Sequence, residues 1–194
     1  MRINKRLNLV IPLGRSDSAG DLGVVVHTTP ISSEVFDEYF LPLSMTYAAI
    51  YSQGLGPIAA PRITDKLLKK ISIDKGIWDS DSQRGIVGVK QGLVGEIHRL
   101  TNVLAPGEHG WKEYMYQEAK DLGILDADEV AEVDSAIVFF TVCSSMMRKN
   151  QVEKELGGAM KIWGARLEFY TFTELRDSLP TSTGTANSGA TQTP

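Results

Sequence analysis

Residues 126–150 constrain the fold more than any other part of the chain. Asp126 is followed three residues later by Glu129, the spacing of a capping box, and Val130, Val133, Ile137, Phe140 and Met147 then run down one helical face. A helix that starts this cleanly and carries a long apolar stripe must be covered by other elements. The rest of the chain therefore has to supply a mostly helical shell.

Several segments fit that demand. Ser32 can cap a helix in which Ile31 and Phe36 form a hydrophobic staple, and Phe36, Tyr39, Phe40 and Leu43, extended by Tyr47 and Ile50, recur at helical spacing. Pro42 should kink or split that helix. A following helix has Ile63, Leu67 and Ile71 on one face and Lys66, Lys69 and Lys70 on the other. Ile86, Val89, Leu93, Ile97, Leu100 and Leu104 predict one long helix ended by Pro106-Gly107, with Gly88, Gly92 and Gly95 marking close packing. Residues 111–122 read as a shorter amphipathic helix ended by Gly123. Residues 151–163 read as a continuation of the long helix or a separate short one, and Thr171 with Glu174 caps a last helix reaching about Ser178.

The N-terminus reads differently. Ile3, Leu7, Leu9, Val10, Ile11 and Leu13, then Val24, Val25 and Val26, are strand-forming runs on either side of a polar, glycine-bounded loop, which predicts a β-hairpin over about residues 3–29. Residues 181–194 hold no charged and no large apolar side chain, so burial cannot offset their ordering entropy and they read as a disordered tail. The expected fold is mainly α: one mostly helical domain over residues 1–180, an N-terminal hairpin and that tail.

Composition narrows function by exclusion. Twenty basic against 24 acidic residues give a net charge of -4 and a pI near 5.4, which argues against a nucleic-acid clamp. The apolar run after the basic residues 1–6 is short and broken by Asn8 and Pro12, so no signal peptide is expected, and no run approaches a membrane span. Cys143, the only cysteine, excludes an internal disulfide and sits among apolar neighbours that give it no activating base. His27, His98 and His109 lack metal-ligand spacing. Gly54-Leu55-Gly56-Pro57-Ile58-Ala59 matches a dinucleotide fingerprint only formally, because the residues before it read as helix rather than strand. No enzyme activity, metal or cofactor is expected.

Binding residues are the remaining candidates. Asp121, Asp126, Asp128, Glu129, Glu132 and Asp134 form an acidic cluster that suits either a solvated helix start or a docking face for a basic partner. Arg62, Lys66, Lys69 and Lys70 make a compact basic face. Phe36, Tyr39 and Phe40, with Met146 and Met147, are either ordinary core or adaptable apolar contacts.

The opening Met1-Arg2-Ile3-Asn4-Lys5-Arg6-Leu7-Asn8-Leu9-Val10, the segment Leu100-Thr101-Asn102-Val103-Leu104, the run Ala136-Ile137-Val138-Phe139-Phe140 and the ending Ser178-Leu179-Pro180-Thr181-Ser182-Thr183 together resemble tail assembly chaperones of long-tailed bacteriophages. The resemblance spans most of the chain and is carried by the order and composition of these segments. It implies a small, acidic, largely helical protein of the host cytoplasm that coats the tape-measure protein, helps recruit tail tube protein and leaves before the virion is complete. Members of that family are often made in a second, longer form by slippage at a Gly-Lys codon pair, and residues 181–194 contain no Gly-Lys. On this reading Phe36, Tyr39, Phe40, Asp128, Glu129, Glu132, Met146 and Met147 are the partner-binding candidates, and a homo-oligomer is compatible with it. Two alternatives from other classes are a structural neck or tail protein of the virion and a small host-directed enzyme or inhibitor.

Overall fold

The capped helix predicted from Asp126 is the centre of the molecule. A computed structural model of the chain describes residues 7–14, 23–52, 59–81, 85, 87–108 and 110–180. In it, α6 (Ala127–Met146) starts on a reciprocal capping box between Asp126 and Glu129. Val133, Ile137 and Phe140 are fully buried, as the stripe requires, but residues 135–143 are buried on every side. The sequence Ser-Ala-Ile-Val-Phe-Phe-Thr-Val-Cys over that stretch has no charge to face water; Thr141 donates to the Ile137 carbonyl at 2.8 Å, and Ser135 donates to the Asp65 carboxylate at 3.0 Å.

Strands β1 (Asn8–Leu13) and β2 (Val24–Thr28) form the expected antiparallel hairpin, with Leu9 opposite Thr28 and Leu13 opposite Val24. Three more strands join them: β3 (Thr101–Gly107), β4 (Gly110–Met115) and β5 (Arg166–Glu168), in the antiparallel order β4-β3-β2-β1-β5. Helices still predominate, so the expected helical fold carries a sheet larger than a hairpin. Leu9, Ile11, Val24, Val26, Val103 and Ala105 line the sheet face that joins the main core with α6. On the opposite face Val10, Val25 and Leu104 form a second, smaller cluster with Leu175, under α9 (Phe172–Ser178). Burial on both faces explains why β1 and β2 read as continuous apolar runs rather than alternating ones.

The other helices are α1 (Ser33–Glu38), α2 (Phe40–Ser52), α3 (Ala60–Asp74), α4 (Gly95–Arg99), α5 (Tyr116–Asp121), α7 (Lys149–Gln151) and α8 (Gly157–Ile162). Ser32 caps α1, its hydroxyl accepting from the Val35 N–H. The break between α1 and α2 falls at Tyr39, three residues before Pro42, because the proline ring and its missing N–H disrupt the preceding turn. Residues 151–163 form separate short pieces, a π-helical turn (Val152–Leu156) and α8. Thr171 and Glu174 make the predicted second capping box at the start of α9.

Three expectations need correction. Residues 86–104 are not one helix: a π-helical turn (Lys90–Val94) runs into α4, and the chain then turns at Leu100 into β3. The β-branched Thr101 and Val103 suit a strand, and pairing of Val26 with Val103 and Thr28 with Thr101 decides the matter through a contact remote in sequence. Residues 111–122 split into β4 and α5, with Gly123 at φ +67 ending the helix as expected. In α3 the buried face is Ala60, Pro61, Thr64, Leu68 and Ser72, and the expected Ile63, Leu67 and Ile71 are half-buried on its flank. Small and hydroxyl residues let α3 approach α6 closely, and Thr64 hides its hydroxyl on the Ala60 carbonyl at 2.6 Å. Two of the three spaced glycines have a packing reason: a Cβ on Gly88 would collide with the Trp78 and Asp79 backbone and one on Gly92 with the Tyr39 ring and hydroxyl, while a Cβ on Gly95 meets nothing within 4 Å. The formal dinucleotide fingerprint, the hairpin loop, His109 and the tail at 181–194 lie partly or wholly outside the described residues.

Candidate functional site

Helix α2, Phe-Leu-Pro-Leu-Ser-Met-Thr-Tyr-Ala-Ala-Ile-Tyr-Ser, contains no charged residue in 13 positions. Its inner face, Pro42, Leu43, Thr46 and Ile50, is buried. Its outer face, Phe40, Leu41, Ser44, Ala48, Tyr51 and Ser52, falls within about a third of the helical circle at 100° per residue, and all but the half-buried Ser44 are exposed. Phe40, Leu41 and Tyr51 are 50%, 53% and 52% exposed. An ordinary surface helix turns charge outward, and α2 turns apolar and small side chains outward. Its start is braced by an edge-to-face pair between Phe36 and Phe40 at 5.7 Å, its end by the Tyr47 ring tilted at 48° against Tyr51 at 4.7 Å. Burial, followed by the neighbouring Cys143, Tyr47 and Glu155, pushes the Tyr51 phenol up, so it stays a neutral donor.

The predicted binding residues do not form one patch. Phe36 is half-buried and lines a small cleft of about 220 Å³ with Ile31, Ser144 and Ser145. Tyr39, only 5% exposed, belongs to the core and donates to the Val87 carbonyl at 3.4 Å. Phe40 lies on the open face of α2. Met146 and Met147 are half-buried at the end of α6, Met147 against the main core. Glu129 is engaged in the capping box, accepting from the Asp126 N–H at 2.9 Å. Asp128 and Glu132 are exposed and line a groove of about 410 Å³ with Arg62, Lys66, Asp65, Ser135 and Trp163. The acidic and basic faces read separately from the sequence thus meet across that groove, where Arg62 stacks over the Trp163 ring at 5.1 Å. Charges of both signs there weaken it as a dock for a purely basic partner.

The groups with catalytic chemistry are built into the structure. His27 is fully buried on β2 and donates through Nε2 to the Tyr170 carbonyl at 3.2 Å, and burial holds its imidazole below the usual value and therefore neutral. His98 donates to Asp134 at 2.8 Å, and Tyr116 donates to the same carboxylate oxygen at 3.0 Å. Lys120 approaches the other oxygen at 3.9 Å. Burial alone would raise the Asp134 carboxyl, but the His98 hydrogen bond and charge, with Lys120 and Tyr116, outweigh it and hold the group below its ordinary value. The constellation pins α4, α5 and α6 together. Burial pushes the Cys143 thiol up to about 12, leaving it protonated. Among the described residues no three His, Cys, Asp or Glu side chains gather as a metal site, and no helix is long and apolar enough to cross a membrane.

The outer face of α2 was missed as a unit by periodicity, which registers only the stripe that faces the core. Its signal lies in the charge pattern: from residue 28 to residue 61 the chain has no Lys, Arg or His. No family model, curated protein or solved structure matches the chain.

Proposed function

We propose that this protein is a non-enzymatic tail assembly chaperone of long-tailed bacteriophages, working in the host cytoplasm by covering the tape-measure protein until tail tube protein assembles around it. The family reading rests on the resemblance of the segments quoted above. The structural observation that supports a binding role is the uncharged, open face of α2, because a tape measure is a long helical chain with apolar stretches that must be shielded. The polar clusters that could suggest catalysis have structural uses: His98 with Asp134 joins helices, His27 anchors the segment before α9, and Cys143 is sealed in the core.

Co-expression with a tape-measure protein tests the reading. The tape measure should stay soluble and co-purify with this protein, and purified virions should lack it. An insoluble tape measure with no co-purification overturns the reading. Retention in particles favours a structural tail role instead.

A further inference from the structure

We infer that the outer face of α2 takes a basic amphipathic helix: apolar side chains of the partner lie on Phe40, Leu41, Ala48 and Tyr51, and its flanking lysines or arginines meet Asp37 and Glu38. This deepens the chaperone reading and rests on it for the partner's biological identity, but the surface chemistry stands on its own.

The apolar half of the match is the geometry of α2. Its outer-face residues sit at i, i+1, i+4, i+8, i+11 and i+12 from Phe40, a strip about three turns long whose middle holds only the small Ser44 and Ala48. Large residues at both ends and small ones between them leave a shallow saddle in which another helix can lie close, its own apolar stripe against the saddle.

The charged half lies at the start of the strip. Asp37 and Glu38 are exposed in the last turn of α1, and that turn has no basic residue. Carboxylates at a helix C-terminus face the negative end of the macrodipole, where a cation would be favourable. Helices α6 and α9 each place an acid in the first turn, where it stabilises the helix. The local rule is broken beside the apolar face, and an incoming cation would relieve it. At the far end Glu155 acts on Tyr51. On the neighbouring α3, Lys66 lines the groove with Asp128 and Glu132, and Lys69 sits over the Trp78 ring at 5.7 Å. A cationic partner therefore finds acid at the start of the strip and no base on α1 or α2 to repel it.

The full-length protein can be titrated by fluorescence anisotropy with two labelled helical peptides of about 18 residues, or five turns. Both carry the same leucine face, one flanked by lysines and the other by glutamates. The lysine peptide should bind at least about tenfold more tightly at low salt, with the gap narrowing as salt rises. Leu41→Asp and Ala48→Asp, both at exposed positions, should abolish that binding with the far-UV circular dichroism unchanged. The double variant Asp37→Lys, Glu38→Lys should move the preference toward the glutamate peptide. Equal binding of the two peptides, or binding of neither, overturns the inference. So does a concentration-dependent dimer that Leu41→Asp dissociates, since the occupant is then a second copy. Co-expression separates this inference from the chaperone reading. If Leu41→Asp still keeps a tape measure soluble, the surface is wrong and the chaperone reading stands. If wild-type protein binds the lysine peptide but leaves the tape measure insoluble, the surface stands and the chaperone reading fails.

Discussion

At the scale of single residues, Asp134 is the clearest test of the polar interior. Its carboxyl is held below the ordinary range in the folded chain, so it takes up a proton less readily folded than unfolded. The stability it contributes is therefore present above the unfolded carboxylate value of about 3.9 and is lost as pH falls through the folded value. Asp134→Asn should cost about 1–3 kcal/mol in urea unfolding at pH 7, and the gap between wild type and variant should close toward pH 3. A gap independent of pH would show that Asp134 acts through packing rather than charge. Gly92 makes a different kind of prediction. Gly92→Ala drives a methyl into the Tyr39 ring and should cost about 1–3 kcal/mol, and a Tyr39→Ala background, already destabilised by its own cavity, should tolerate it with little further loss.

At the scale of elements, local and remote determinants separate cleanly. Helices announced by a cap were legible: Ser32, Asp126 and Thr171 start α1, α6 and α9 where the sequence places them, because capping is a matter of three or four neighbouring residues. Asp126→Ala should accordingly destabilise the protein by about 1 kcal/mol, read from the denaturation midpoint. Strand β3 was not legible, because Leu104 fits a helical stripe as well as a strand and the deciding partner is β2, more than 70 residues earlier, and among the described strands β4 in turn pairs only with β3. Strand β5 has only three residues, too few for any pattern. The proposed binding surface was half legible: Phe40 was singled out as an aromatic, but the charge-free outer face of α2 appears only once Leu43 and Ile50 are known to point inward. Helix α9 is attached more lightly than the rest, by Leu175 in the small second cluster, by Arg176 on Glu113 at 2.5 Å and by the Tyr170 carbonyl, which accepts from Asn8 at 2.6 Å. Leu175→Ala should speed amide hydrogen exchange across Phe172–Ser178 while α6 keeps its protection. Equal acceleration in both helices would mean that α9 opens only with the whole molecule.

At the scale of the whole molecule, the sheet order has a consequence for how the chain is made. Asn8 on β1 pairs with Glu168 on β5, so the strand synthesised first waits for the strand synthesised last. Until about residue 180 has emerged, one edge of β1 has no neighbour and the sheet face bearing Val10, Val25 and Leu104 has no cover. An open strand edge beside bare apolar surface invites pairing with another nascent chain. A fragment ending before residue 166 should therefore aggregate although it retains the central helix, and refolding of the intact protein should be limited by this long loop closure rather than by helix formation. On the proposed chaperone reading, the protein that shields another chain is itself vulnerable until the last of the described strands is in place.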